Sequence, residues 1–423
     1  MTTKTDLTAL PTPEPVQSTW MGKLLVFLFS GQAVTAGLSV LIGKITATYI
    51  VPDQLGLYNL LFAGMTFAQT LLITPIIQSF KSAVTDNNQE PVIPFYIRLF
   101  LIAFGITLLV ALLAGSWSGA PVLLLLVWLT GIGQALYSLG SDWLIINSQT
   151  KKLTWIQLTY SFINLLVLVV LVIVLQSRTA RSIFVVLLST NLVLAGLSLW
   201  QSRHQLLAVD WQQIGKANTY LWHRYKQYAL PIMGLACSSW LLNYADRFLL
   251  DYYMTTTDVG LYSAGYNLGA RISLLCSPFM IILSSEVYRA KAANTPEQIA
   301  PALQRTLLLF WLTGGAAWLV YTLFYVPIST LLLDKQYKAG FAVGPWVALG
   351  YMFLCSLWLV DIRRYAYGNT TFIALHNMVG AGVNILLNIL FIPRFGLMGA
   401  AYAACLGYVA QALAVYVLRV TSE

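Results

Sequence analysis

Twelve apolar runs, joined mostly by short polar connections, constrain this chain more than any other feature. They cover 22–50, 57–80, 93–116, 121–147, 153–177, 181–202, 226–252, 259–287, 303–327, 341–365, 371–392 and 397–420. A helix of about 20 apolar residues crosses the hydrocarbon core of a bilayer. A segment in lipid must satisfy its own backbone hydrogen bonds, and long apolar runs without strict alternation do so as helices. Hydrophobic residues make up 58% of the chain and charged residues 9%, against about 25% charged in a soluble domain. A soluble protein this apolar would expose large sticky patches, whereas a membrane solvent removes the difficulty. The expected class is an all-α polytopic membrane protein with twelve transmembrane helices.

Lys and Arg collect on the cytoplasmic side of membrane proteins. With the N-terminus inside, sixteen of the 24 basic residues fall on that side. Five fall outside (Arg178, Arg181, Lys335, Lys338 and Arg394), and Lys44, Arg247 and Arg271 fall within the membrane. An even number of spans then leaves both termini cytoplasmic. Residues 1–21 are polar, rich in Thr and Pro, and lack the charged-then-apolar layout of a cleaved signal peptide, so they read as a disordered cytoplasmic tail. The longest connection, 203–225, carries Arg203, His204, Lys216, His223 and Arg224. It reads as a cytoplasmic linker between an N-terminal six-helix lobe, 22–202, and a C-terminal six-helix lobe, 226–423.

An internal repeat supports that division. Asp53-Gln-Leu-Gly-Leu-Tyr58 matches Thr257-Asp-Val-Gly-Leu-Tyr262 at an offset of 204, with Lys44 opposite Arg247 after one gap. Gln157, Ser161 and Asn164 match Asn377, Ala381 and Asn384 at an offset near 220. Repeats of this kind are how many transporters are built, with the substrate site at the repeat interface. Two lobes around a central cavity follow.

Within the expected spans, Arg271 has Asn267 one turn before it and Ser263 two turns before, making one polar stripe. Arg247 has Asn243 a turn before and Asp251 a turn after, and Asp246 beside it in sequence. A charged side chain at the bilayer centre costs about 2.5–3.5 kcal/mol on insertion scales, so such groups face protein or a water-filled cavity. Arg271, Arg247, Lys44, Asn267 and Asn384 are therefore candidates to bind an anionic substrate, Arg by a planar fork and Lys as a point charge. Asp246 and Asp251 are candidates for coupling or charge balance. The competing structural roles are an Arg247 neutralised by Asp246 or Asp251, a snorkelling Lys44, and Asn384 bonded to a neighbouring helix. Trp20, Trp117, Trp143, Trp222, Tyr252 and Tyr253 read as interfacial anchors.

Other chemistry is not signalled. Cys237, Cys276, Cys355 and Cys405 sit in apolar runs, and His204, His223 and His376 are scattered, so no metal or cofactor is expected. No GxxxxGK[ST], GxSxG or HExxH motif occurs, so neither direct use of ATP nor an enzyme is expected. The net charge of +9 follows from loop charges and needs no nucleic acid.

Two stretches resemble a known family. Asp246-Arg-Phe-Leu-Leu with Asp258-Val-Gly-Leu-Tyr-Ser-Ala-Gly-Tyr-Asn267, and Asn384 to Tyr402 (NILLNILFIPRFGLMGAAY), are similar to the polysaccharide transporter family, which includes O-antigen and capsule flippases. That family belongs to the multidrug/oligosaccharidyl-lipid/polysaccharide exporter superfamily. The resemblance implies alternating access between two lobes in a bacterial inner membrane. It implies a substrate oligosaccharide on an undecaprenyl pyrophosphate carrier, for surface polysaccharide biosynthesis, with cavity cations such as Arg271, Arg247 and Lys44 holding the pyrophosphate. The implied partners are that lipid-linked oligosaccharide, membrane lipid, and a polysaccharide polymerase with chain-length proteins. Twelve spans leave no counterpart to the two additional helices of lipid II flippases, so a surface glycan suits the chain better than peptidoglycan precursor. The alternatives are an ion-coupled multidrug exporter of the same superfamily, whose cation substrates would want acidic cavity residues, and a membrane-embedded polymerase, for which the outer connections are short.

Overall fold

Tight connections force neighbouring helices to run antiparallel. Gly119 and Gly396 take positive φ at two of the turns, a conformation that costs glycine nothing. Pro52 opens a helix where its missing N–H is not needed. Thr255 and Asp258 form a capping box at the start of another. The structure, a computed structural model, describes residues 18–85, 92–146, 150–201, 219–367 and 370–420. Twelve long helical rods follow in order: α1 (Ser18–Tyr49), α2 (Pro52–Ala83), α3 (Val92–Ser118), α4 (Pro121–Ile146), α5 (Lys151–Val174), α6 (Ala180–Gln201), α7 (Thr219–Tyr253), α8 (Thr256–Ala292), α9 (Ile299–Leu323), α10 (Val343–Ala366), α11 (Thr370–Phe395) and α12 (Leu397–Val420). Among the described residues there is no strand.

Ten helices among the described residues are long and apolar enough to cross a membrane. The other two, α1 and α7, have 32 and 35 residues, about 48 and 52 Å at 1.5 Å per residue. The chain is thus an all-α polytopic membrane protein, in which two of the expected twelve spans rest on length rather than on apolarity. Helix α1 begins at Ser18 and α7 at Thr219, so residues 18–21 and 219–225 are helical where tail and linker were expected. For 219–225 the reason is packing. Leu221 is buried and Tyr225 half-buried against Ile77 and Tyr96, and Arg224 Nη2 donates to the Ser82 carbonyl at 3.0 Å. Residues 1–17 and 202–218, which hold the rest of the expected tail and linker, lie outside the described residues.

In the first half α4 packs on α3 and α6, and α5 on α1 and α6; in the second, α11 packs on α7 and α12, and α10 on α8, α9 and α12. The halves meet along α2, which crosses α8 at the sequence repeat and packs on α7 as extensively. A Cβ on Gly56 would collide with the Thr256 carbonyl oxygen, and a Cβ on Gly260 with the Pro52 carbonyl oxygen. Residues 52 and 256, and 56 and 260, are equivalent at the offset of 204, so the collisions are the same contact made twice across a pseudo-two-fold axis. Small residues let helices approach this closely in lipid, where packing rather than hydrophobicity drives association. Around the crossing, Ala47 and Ile50 of α1, Leu168 and Val172 of α5, Leu261 and Leu268 of α8, and Leu333, Tyr337 and Phe341 beyond α9 form one buried apolar cluster. It seals this end of the bundle, hereafter the crossing end.

The seam continues along α2 and α7, where the Trp240 ring N–H donates to the Ala63 carbonyl at 3.0 Å. Both crossing helices are irregular at a similar depth. Helix α2 has a π turn at Gln69–Ile73 and α8 a 3₁₀ turn at Arg271–Leu275, departures that recur at functional sites and hinges.

Gly56→Ala and Gly260→Ala should each lower the thermal-unfolding midpoint of the detergent-solubilised protein, because overpacking costs about 1–3 kcal/mol and the obstacle here is backbone. Gly64→Ala on the same helix, where an added methyl meets nothing within 4 Å, should leave it unchanged. Equal midpoints for all three would mean that the crossing tolerates the extra atoms.

Candidate functional site: a cavity between the halves

Beyond the crossing, α1 and α5 do not pack against the second half of α8, and a cavity of about 540 Å³ lies between them. Gln32 and Ser39 of α1, Tyr137 of α4, Gln157 and Tyr160 of α5, and Leu274 of α8 are part of its wall. On α1 the lining residues Gln32, Thr35 and Ser39 recur at helical spacing and present one polar face. No carboxylate lines the cavity among the described residues.

Arg271 does not line this cavity but touches its wall through Ser39, a lining residue on the side nearer the crossing end. Its Nη2 donates to the Ser39 carbonyl at 3.3 Å. The guanidinium has room there because position 43 is glycine: a Cβ would collide with it. Among the described residues no carboxylate lies within ion-pair distance of Arg271. It is half-buried, and an unpaired guanidinium at membrane depth has five donors for which one carbonyl is too little. Asn267, a turn earlier on α8, is exposed, whereas Ser263, the third member of the expected stripe, is buried without a partner. The regular helix Thr256–Ala270 carries Ser263 and Asn267 and ends where the 3₁₀ turn begins at Arg271.

The other two cations are engaged elsewhere. Lys44 Nζ donates to the Leu333 carbonyl at 3.0 Å, within a clamp formed by the segment between α9 and α10. There Gln336 Nε2 donates to the carbonyls of Ala47 (2.8 Å) and Ile50 (3.2 Å), and Tyr337 Oη to that of Ile50 (2.7 Å). These are the otherwise orphaned carbonyls at the end of α1. Burial, with the Asp334 carboxylate adding to it, holds the Tyr337 phenol well above its ordinary pKa, so it remains a donor.

Arg247 is 3% exposed and Asp246 not at all. Arg247 Nη1 lies 3.2 Å from Asp246 Oδ1 and also donates to the Asn243 carbonyl. Its guanidinium stacks between the rings of Tyr244 and Tyr266, each 5.0 Å from the centroid. Asp246 Oδ2 accepts from Tyr262 Oη at 2.5 Å. The pair is buried and does not line the cavity, with Arg247 Nε left without a partner. So the three candidate cations do not share one surface: none of them lines the cavity, and of the three Arg271 alone bonds to a residue of its wall among the described residues. Asp251 accepts from Thr256 Oγ1 at 2.7 Å beside the α7–α8 turn. Asn384 is buried, and its carbonyl and Oδ1 accept from Asn388 Nδ2 at 2.9 and 3.1 Å; it too is remote from the cavity.

Sequence reasoning missed Gln32, Tyr137 and Tyr160 as cavity residues, and took Gln157 only as a repeat marker. A polar stripe on α1 was the one available signal. Among the described residues no cluster of His, Cys, Asp or Glu could hold a metal ion.

Solved structures share this architecture. The chain superimposes on the lipid II flippase MurJ in an inward closed conformation with a TM-score of 0.74, at 14% identity over 93% of this chain and 87% of that one. It also superimposes on a multidrug resistance MATE family transporter of the MOP superfamily, inward-facing, with a TM-score of 0.68, at 10% identity over 94% and 98%. For a point mutant of the Vibrio cholerae MATE transporter VcmN, the TM-score is 0.59, at 13% identity over 96% and 99%. No protein-family model matches the chain, and no curated protein matches it by sequence. The two halves, the crossing and the cavity between them therefore define a membrane-transporter fold. More particularly, it is the fold common to MATE transporters and the MurJ flippase.

Arg247→Ala and Asp246→Asn should both destabilise the solubilised protein strongly, since breaking a buried pair from one side costs about 3–5 kcal/mol. Arg271→Ala should unfold at the wild-type temperature. A stable Arg247→Ala variant would show that the pair is not the sealed unit described.

Proposed function

We propose that the protein is a flippase that moves an oligosaccharide linked to undecaprenyl pyrophosphate across a bacterial inner membrane by alternating access. The observation that carries this reading is Arg271, a guanidinium with no carboxylate within ion-pair distance among the described residues, bonded to Ser39 in the wall of a cavity between the halves that amides and hydroxyls line without charge. A glycan with a pyrophosphate cannot enter hydrocarbon without losing its hydration. A groove with cationic and hydrogen-bonding walls substitutes for that water, while the lipid tail stays in the bilayer. Arg suits the phosphate oxygens because its fork matches their geometry.

The distribution of Lys and Arg supports placing the crossing end outside, with both termini in the cytoplasm. The conformation described is then closed outward, and the cavity receives substrate from the cytoplasmic leaflet. Reversal would part the Gly56–Gly260 crossing and the clamp on Lys44. In this reading the glycan passes to a polysaccharide polymerase and its chain-length proteins. Ion-coupled export of small cationic drugs fits less well, although one matched structure is of a multidrug resistance transporter, because among the described residues no carboxylate lines the cavity to receive a cation.

The test is leaflet-specific labelling of a fluorescent lipid-linked oligosaccharide in proteoliposomes. The wild-type protein should move it, and Arg271→Ala should slow it about tenfold or more, the worth of one charged hydrogen bond. Arg271→Lys should fall between. Full transport by Arg271→Ala would remove the cation from the mechanism. A wild-type protein that leaves the lipid in place and expels a cationic dye would replace this reading with the exporter.

A further inference from the structure

Resting on the flippase reading, we infer that the wall formed by α1, α4 and α5 is a sugar-binding subsite separate from the phosphate-binding edge at Arg271. The side chains of Gln32 and Gln157 both line the cavity and are exposed to it, and neither makes a hydrogen bond to any described residue. An amide offers two donors and an acceptor without charge. That set matches neighbouring hydroxyl groups and has nothing to offer a phosphate that Arg271 does not offer better. Beside Gln157, three residues on, Tyr160 stacks on Tyr137 with ring centroids 5.5 Å apart and planes 16° apart. Both rings line the cavity. Flat aromatic faces beside unpartnered amides suit a ring with apolar C–H faces and a polar rim, which is a sugar.

The internal repeat sharpens the assignment. Gln157 corresponds to Asn377 of α11, whose Oδ1 accepts from Gln411 within the second half. The same position is thus satisfied internally in one half and left open to the cavity in the other. Its opening is a property of this wall alone and not of the repeat. Along α1, Gln32 lies seven residues from Ser39, the residue that Arg271 touches, or about 10 Å at 1.5 Å per residue. That separation places a phosphate pole toward the crossing end and a sugar pole beyond it. The wall thereby becomes the part of the protein that selects which glycan is carried.

Binding by the full-length solubilised protein tests this, with farnesyl pyrophosphate as one probe and farnesyl pyrophosphoryl glucose, galactose and N-acetylglucosamine as the others. The wild-type protein should bind at least one sugar-bearing probe more tightly than farnesyl pyrophosphate. Gln157→Ala and Tyr160→Ala should each weaken that probe about tenfold, the weight of one good neutral contact, and leave farnesyl pyrophosphate unchanged. Tyr160→Phe, which keeps the stacked ring, should retain most of the preference and guards against a folding defect. Arg271→Ala should weaken every probe. If farnesyl pyrophosphate binds through Arg271 while no sugar adds affinity, or if Gln157→Ala weakens all probes alike, the sugar subsite is overturned and the flippase reading stands. If the wild-type protein binds none of the probes, the flippase reading falls and takes the subsite with it.

Discussion

The approach of α2 to α8 at Gly56 and Gly260 is the constraint on which the rest of the structure depends. With no side chain at either position, each backbone sits against the other's carbonyl group, at Thr256 and Pro52. This contact closes one end of the bundle and sets the two halves at a fixed angle. It also forces the space between them to open elsewhere. The apolar cluster around Ile50, Leu261 and Tyr337 completes the seal. A cavity lined by α1, α4, α5 and α8 is therefore a consequence of tight packing at the other end, and not a separate invention of the fold.

Burial sorts the three membrane cations into different kinds of work. Arg247 loses its water entirely, and a charge in that position persists only if its partner is equally buried and hydrogen-bonded; Asp246, held by Tyr262, supplies this. Lys44 has a flexible stem and reaches a backbone carbonyl at the surface of the seal. Arg271 keeps part of its surface free because the next turn of α8 is 3₁₀ and because position 43 on α1 is glycine. Three residues of one charge thus become one half of a buried pair, part of a clamp, and a guanidinium with no carboxylate partner among the described residues.

The two irregular turns, the π turn of α2 and the 3₁₀ turn of α8, lie between the sealed end and the half of the bundle that holds the cavity. Irregular turns have weaker backbone hydrogen bonding than the α-helix around them. They are the points at which the crossing helices depart from α geometry, and Arg271 stands at the very start of one of them.

Much of this protein was legible without coordinates. Apolar run length determined the membrane class and the order of the helices, because a bilayer demands about 20 residues per crossing and accepts few charges. The match of Gly56-Leu-Tyr58 to Gly260-Leu-Tyr262 pointed to the two residues at which α2 and α8 cross. The start of α7 was not legible: 219–225 carries His223 and Arg224 and reads as part of a connection, whereas in the fold Leu221 and Tyr225 join the buried cluster that holds Ile77 and Tyr96. Nor was the fate of the cations. Lys44, Arg247 and Arg271 differ in neighbours that lie on other helices, Leu333, Tyr266 and Ser39 respectively. Whether a charge is paired, clamped or free depends on what stands across from it, and that is a property of packing that a linear pattern does not carry.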